Sequence, residues 1–202
     1  MKISVITVCF NAAEHIDETL RSVVMQDHGP VEHIVIDGGS TDGTLERIGR
    51  YREVIAHFVT EPDKGVYDAM NKGLRLATGE VIAFVNAGDM IAHRSCLSEM
   101  AAEFAKGDAD AIYGDAYMVD PKDIRKVKRF WKGGVYKREA FRSGWMQMCI
   151  RDRHRPWRIR RPFRSDSCGG RSYHRRSRRR SLRLWLAEGP CSWRRTHPCP
   201  AR

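Results

Sequence analysis

Residues 31–44 read V-E-H-I-V-I-D-G-G-S-T-D-G-T, and the change of character in the middle of this stretch decides the fold. Its first six residues are largely apolar and β-branched, as a strand buried on both faces requires. Asp37 ends the run, and glycines with Ser40 and Thr41 open a loop. Acids that follow strands commonly cap the next helix. Asp42, directly ahead of Gly43-Thr44-Leu45, suits that role. Asp37 does not, because five residues of loop separate it from any helix start.

The same alternation runs outward in both directions. Upstream, I-S-V-I-T-V-C-F (3–10) predicts a strand ended by Asn11, and Ile16, Leu20, Val23 and Val24 then recur on one helical face. Downstream, Leu45, Ile48, Tyr51 and Ile55 predict a second amphipathic helix, and 57–61 a third strand. A helix over 66–79 closes on Gly79, a fourth strand over 80–86 ends in N-A-G-D, a helix lies around 94–106, and a fifth strand covers 111–115. Strands alternating with helices across short connections predict an α/β fold with a mainly parallel sheet flanked by helices.

Ligands of such sheets bind outside the carboxyl ends of the strands. Three strands deliver an acid to that edge here: Asp37, Asp89 and Asp115. The glycine spacing of a dinucleotide fingerprint does not follow the first strand, and there is no Walker sequence. An acidic edge repels a diphosphate unless a divalent cation stands between them, so the edge points to a metal–nucleotide complex.

The net charge of +11 is unevenly spread. Residues 1–144 hold 19 Lys+Arg against 22 Asp+Glu, whereas residues 145–202 hold 17 Arg, no Lys and 3 acids. The first part is thus a mildly acidic globular chain, and all the basicity lies in the second. Cys9 and Cys96 sit in apolar runs and read as small hydrophobes. The N-terminus lacks the pattern of a signal peptide and no stretch is apolar enough to span a membrane, so a cytoplasmic protein is expected.

Four stretches carry a resemblance: V-I-T-V-C-F-N (5–11), D-G-G-S-T-D-G-T (37–44), E-P-D-K-G-V-Y-D-A-M-N-K-G (61–73) and F-V-N-A-G-D (84–89). In this order and spacing they resemble family 2 glycosyltransferases of the GT-A fold, above all the bacterial subgroup that builds exopolysaccharide and other surface glycans. The likeness covers residues 1–144. It implies an inverting transfer of sugar from a nucleotide-diphospho-sugar, with UDP the first expectation, to a hydroxyl of a glycan or lipid-linked acceptor. It also admits peripheral association with the cytoplasmic face of the inner membrane. By the same resemblance Asp37 holds the uracil, Asp63 closes the nucleotide pocket, Lys72 meets a phosphate, and Asn11 and Asn86 line the nucleotide-sugar site. Asp89 matches the last acid of a D-x-D-type motif that coordinates Mn²⁺ or Mg²⁺, and Asp115 faces the acceptor side. The commoner motif is acidic at the positions of Asn86 and Gly88, which leaves Asp89 as the one strong carboxylate ligand in this turn. One acid can suffice, because these cations often bind through one or two carboxylates plus substrate phosphates.

After Gly144 the resemblance implies a His-Gln-type strand, a Gly-Gly-Phe-Asp-like turn and an acidic segment carrying the general base, and none is present. The catalytic base is therefore unassigned, and residues 1–144 are read as a partial catalytic domain. Residues 145–202 admit three readings. The first is an arginine-rich arm for nucleic acid or anionic lipid, with Trp157, Tyr173, Trp185 and Trp193 interleaved. The second is a zinc site at Cys168, His174, Cys191, His197 and Cys199, which lacks any C-x-x-C pair. The third is a GC-rich gene read out of frame, which yields Arg, Pro, Ser, Cys and Trp without Lys and without amphipathic period. The composition favours the third, the string M-C-I-R-D-R (148–153) resembles translated sequencing adapter, and nucleic acid is not expected as a partner.

Overall fold

A computed structural model of the chain describes residues 1–107, 109, 111–120, 123–131, 149–151, 182–185 and 194–196. The first strand, β1 (Ile3–Cys9), is buried along its entire length. It pairs in parallel with β2 (Val31–Asp37) on one side and with β4 (Val81–Phe84) on the other. β3 (His57–Thr60) adds in parallel to the outer side of β2. This parallel core follows from the continuous apolar runs read in the sequence, which need cover on both faces.

Helices provide that cover. α1 (Ile16–Val24) buries Ile16, Leu20 and Val23 but leaves Val24 outside, and α2 (Thr44–Gly49) buries Ile48 while Leu45 stays exposed. α2 is shorter than its apolar pattern predicts, yet Tyr51 and Ile55 still pack with Ile16, Leu20 and Ile48 from the turns beyond it. α3 (Val66–Leu76) lies against the opposite layer formed by Ile6, Ile34, Ile36 and Ile82. α4 (Cys96–Ala105) buries Leu97, Met100 and Phe104 against β1 and β4 residues. Cys9 and Cys96 are buried free thiols, as small hydrophobes should be.

α3 ends three residues before Gly79 for a specific reason. The N–H groups of Thr78 and Gly79 donate to Glu32 Oε2 and Ser4 Oγ, each at 2.8 Å, which draws the chain out of the helix and into β4. Ser4 in turn donates to Glu32 at 2.5 Å, and Lys2 Nζ lies 2.8 Å from Glu32 Oε1. Burial pushes the Glu32 carboxyl upward. The hydrogen bonds from Lys2, Ser4 and Thr78 outweigh it and bring the group down to about 2. On the same sheet, His33 is buried with Nε2 3.0 Å from Thr7 Oγ1, and burial pushes it down to about 4.

These two groups make the fold sensitive to acid. An unfolded chain protonates His33 near pH 6.5, whereas the native fold excludes that proton until about pH 4. Stability is therefore full above pH 6.5 and falls across this interval by roughly 3 kcal/mol. Glu32 adds a lower step, because its contribution is lost as pH falls from about 4.5 to about 2. Urea unfolding between pH 7 and pH 4 is expected to show the upper step, and His33→Gln to flatten it. An identical slope in the variant would contradict the assignment.

Beyond β4 the chain forms β5 (Asp89–Ile91), β6 (Ala111–Tyr113), β7 (Ala116–Asp120) and β8 (Asp123–Trp131). β5 is a strand the sequence pattern did not reveal. β7 and β8 pair antiparallel with an irregularity at Met118–Asp120. Three short strands lie in the arginine-rich part: β9 (Cys149–Arg151), β10 (Leu182–Trp185) and β11 (Arg194–Thr196). β9 bridges β4 and β6, β10 pairs with β5 and β7, and β11 pairs with β6. The sheets thus read β11-β6-β9-β4-β1-β2-β3 and β5-β10-β7-β8. The remainder of residues 145–202, including all five residues of the zinc reading, lies outside the described residues. Among the described residues no helix is long and apolar enough to cross a membrane.

Candidate functional site

Sheet order reverses at β1. The chain proceeds from β1 to β2 and β3 on one side, then returns to β4 on the other. The loops leaving the C-terminal ends of β1 and β4 flank a crevice there. A cavity of about 580 Å³ fills it, walled by Val8–Ala12, His15, Asp63, Gly65, Val66, Ala69 and Asn86–Asp89. Four residues singled out in the sequence, Asn11, Asp63, Asn86 and Asp89, meet on this one cavity.

The β1 side is set by Asn11, which adopts a left-handed φ of 46° that asparagine tolerates better than most residues. Its N–H donates to Ser40 Oγ at 2.8 Å, and its Oδ1 accepts from Thr41 N–H at 3.0 Å. The first strand and the D-G-G-S-T loop are therefore locked together. Asp42 behaves as the cap-like acid expected, accepting from Thr44 N–H at 3.2 Å and from Ala13 N–H at 3.1 Å.

Asp37 lies beneath this wall and not on it. It is fully buried, and Oδ2 accepts from the N–H groups of Gly39 and Ser40, both at 2.9 Å, and from Thr60 Oγ1 at 2.8 Å. Oδ1 accepts from Ser40 Oγ at 2.5 Å, with the Cys9 thiol 3.5 Å away. Burial pushes the Asp37 carboxyl upward, but the hydrogen bonds from Ser40, Thr60 and Gly39 prevail and hold it below the ordinary carboxylate range. Burial first, and then the neighbouring Asp37 carboxylate, push the Cys9 thiol up and keep it inert.

The β4 side is the N-A-G-D turn. Gly88 sits at φ 92°, a left-handed conformation that suits glycine. Asp89 N–H donates to the Asn86 carbonyl at 2.8 Å, and the Asp89 carbonyl accepts from Thr19 Oγ1 at 2.8 Å. Gly88 N–H donates to that same hydroxyl at 3.1 Å, while Ser22 Oγ accepts from Ile91 N–H at 3.0 Å. Two hydroxyls of α1 thus brace the turn. Asn86 Oδ1 is buried and has no hydrogen-bond partner among the described residues. An oxygen acceptor orphaned beside a carboxylate suits a hard cation. Among the described residues no group of three or more His, Cys, Asp or Glu could hold a metal, and Mn²⁺ and Mg²⁺ commonly complete their shells from substrate phosphate and water.

Lys72 does not line the cavity. Its ammonium is 2.8 Å from Glu61 Oε1 and donates to the Pro62 carbonyl at 3.0 Å, so it ties the 61–65 loop to α3. Asp115 is buried and also lies off the cavity wall. Sequence reasoning missed Phe10, which is 62% exposed on the wall, and His15 at the start of α1. It also missed Thr19, a hydroxyl on the otherwise apolar face of α1, and that mismatch was the available signal.

Comparison with known proteins places this geometry in a class. Residues 4–182 match the family model "Glycosyl transferase family 2", and the chain belongs to that family. Its fold is the GT-A glycosyltransferase architecture. A PGL/p-HBAD biosynthesis glycosyltransferase of Mycobacterium bovis is 36% identical over 121 residues, 57% of this chain and 46% of the relative. An uncharacterized glycosyltransferase of Mycobacterium tuberculosis is 35% identical over 114 residues, 55% of this chain and 44% of the relative. The chain thus spans less than half the length of these curated relatives. Among solved structures, S. aureus TarS 1-349 in complex with UDP-GlcNAc gives a TM-score of 0.51 at 31% identity, covering 55% of this chain and 33% of that one. The mannosyltransferase PcManGT from Pyrobaculum calidifontis, in complex with GDP-Man and Mn²⁺, gives 0.51 at 30% identity, covering 61% and 37%.

Proposed function

We propose that this chain binds a nucleotide-diphospho-sugar in the β1/β4 crevice, as the donor half of an inverting glycosyltransferase that acts on a hydroxyl of a glycan or lipid-linked acceptor. The observation that carries this reading is the convergence of Asn11, Asp63, Asn86 and Asp89 on one cavity at the switch point of the sheet. The TarS and PcManGT complexes, which hold UDP-GlcNAc and GDP-Man, support a nucleotide-sugar donor.

Asp89 and Asn86 Oδ1 are the groups that hold the cation, and Thr19 keeps the turn that carries them in place. When bound, the cation supplies positive charge that stabilises the leaving diphosphate. Phe10 offers the nucleoside an exposed apolar face, and Lys72 fixes the loop that brings Asp63 to the wall. Residues 145–202 carry no counterpart of the acidic base segment, so donor binding with weak transfer is the behaviour expected of this chain. Titration calorimetry with UDP, with and without Mn²⁺, tests the reading. Binding that Mn²⁺ tightens about tenfold or more supports it, and no binding under either condition refutes it.

A further inference from the structure

Beside the apolar face of α1 runs a second stripe, Thr19, Ser22 and Gln26, at the three- and four-residue spacing of neighbours on a helix. All three engage the backbone of residues 88–97. Thr19 Oγ1 donates to the Asp89 carbonyl at 2.8 Å and accepts from Gly88 N–H at 3.1 Å. Ser22 Oγ accepts from Ile91 N–H at 3.0 Å. Gln26, in the turn after α1, donates from Nε2 to the His93 carbonyl at 2.9 Å and accepts at Oε1 from Leu97 N–H at 3.1 Å. A second bond from Nε2, to the Ser22 carbonyl at 3.1 Å, fixes the orientation of this amide. The segment that carries Asp89 is thus held to α1 side chain by side chain, much as a ladder holds a strand.

Resting on the reading of Asp89 and Asn86 Oδ1 as cation ligands, we propose that this stripe aims the metal turn, and that Gln26 is a positioning residue that sets cation affinity although it lies off the cavity wall. Small divalent cations demand well-aimed ligands, and groups that orient a ligand change metal affinity about tenfold or more without touching the metal. Thr19 grips the backbone on both sides of the Gly88–Asp89 link, and Gln26 anchors the far end of the same segment at the start of α4. Leu97 N–H is one of the first-turn donors that α4 cannot pair for itself. Without the Gln26 amide it loses its side-chain partner, and the His93 carbonyl keeps only Cys96 N–H. The turn is then aimed by Thr19 and Ser22 alone.

Mn²⁺ affinity of the whole chain in saturating UDP, read by electron paramagnetic resonance, tests this beside UDP affinity without metal and thermal stability. Gln26→Met removes every amide bond at similar length and is expected to weaken Mn²⁺ about tenfold, leaving metal-free UDP binding unchanged. Gln26→Glu keeps an acceptor for Leu97 N–H but sets an oxygen against the carbonyls of Ser22 and His93. It should weaken Mn²⁺ as well, although its added negative charge alone would attract the cation. Thr19→Ser keeps the hydroxyl and should hold near wild-type affinity, whereas Thr19→Val should lose more than Gln26→Met. Val23→Ala, a cavity on the apolar face of the same helix, should lower thermal stability and leave Mn²⁺ affinity intact. Unchanged Mn²⁺ affinity in both Gln26 variants, or an equal loss in Val23→Ala, overturns the inference while the cation reading stands. UDP binding that Mn²⁺ fails to tighten in the wild-type protein refutes the cation reading and this inference with it.

Discussion

Asp89→Asn is expected to remove the Mn²⁺-dependent part of UDP binding, a loss of about tenfold or more. The backbone around Asp89 is held independently of its carboxylate, by its own N–H on the Asn86 carbonyl and by Thr19 on its carbonyl. The substitution therefore changes charge at nearly constant shape. The neutral Asn86 oxygen alone is a poor substitute, because small divalent cations surrender water reluctantly and need anionic ligands. Affinity for UDP without Mn²⁺ should hold or rise slightly, since one negative charge leaves the neighbourhood of the diphosphate. Calorimetry with and without the metal separates the two effects. An enhancement by Mn²⁺ that survives the substitution would show that the cation is held elsewhere.

Asp37→Ala is expected to cost about 3–5 kcal/mol of folding stability, read by urea denaturation at pH 7. The carboxylate gathers two backbone amides and two hydroxyls in a fully buried position. Hydroxyls can turn toward other partners, but the amides of Gly39 and Ser40 cannot, and each unpaired buried donor carries a desolvation penalty of its own. Because hydrogen bonds hold Asp37 below the usual carboxylate range, its contribution is complete at neutral pH and declines as acid protonates it. A variant within about 1 kcal/mol of the parent would show that the loop is held by other contacts.

The parallel core was legible because β-branched runs such as 31–36 and 3–10 admit few alternatives, and their ends fixed Asn11, Asp37 and Asp89 on one edge. Elements beyond residue 88 were harder to read. β5 has only three residues and announces no period, and β7 and β8 depend on pairing with each other. The strand-edge rule pointed to Asp37, Asp89 and Asp115, whereas Asn11, Asp63 and Asn86 were named by the resemblance alone; of these six, Asn11, Asp63, Asn86 and Asp89 line the one cavity. The different stations of Asp37 and Asp63 were not legible. They depend on a three-dimensional contact between Gly38 and a loop some twenty-five residues later, which no spacing rule encodes. Lys72 illustrates the same limit: an NKG helix lysine can meet a phosphate or a carbonyl, and only the position of Pro62 distinguishes the two.

The place of β1 between β2 and β4 also bears on how the molecule comes to have a cavity at all. Its pairing with β2 joins Ile3 to Val31, whereas its pairing with β4 joins Ile3 to Val81. The second closure spans a far longer loop and is entropically the more demanding, so it belongs late in folding. Both walls of the crevice come together only at that step. A newly made chain can therefore be largely structured through β3 and still be unable to engage nucleotide. A nucleotide bound across the two walls holds shut the seam that closes last, and mass action then favours the finished state over its immediate precursor.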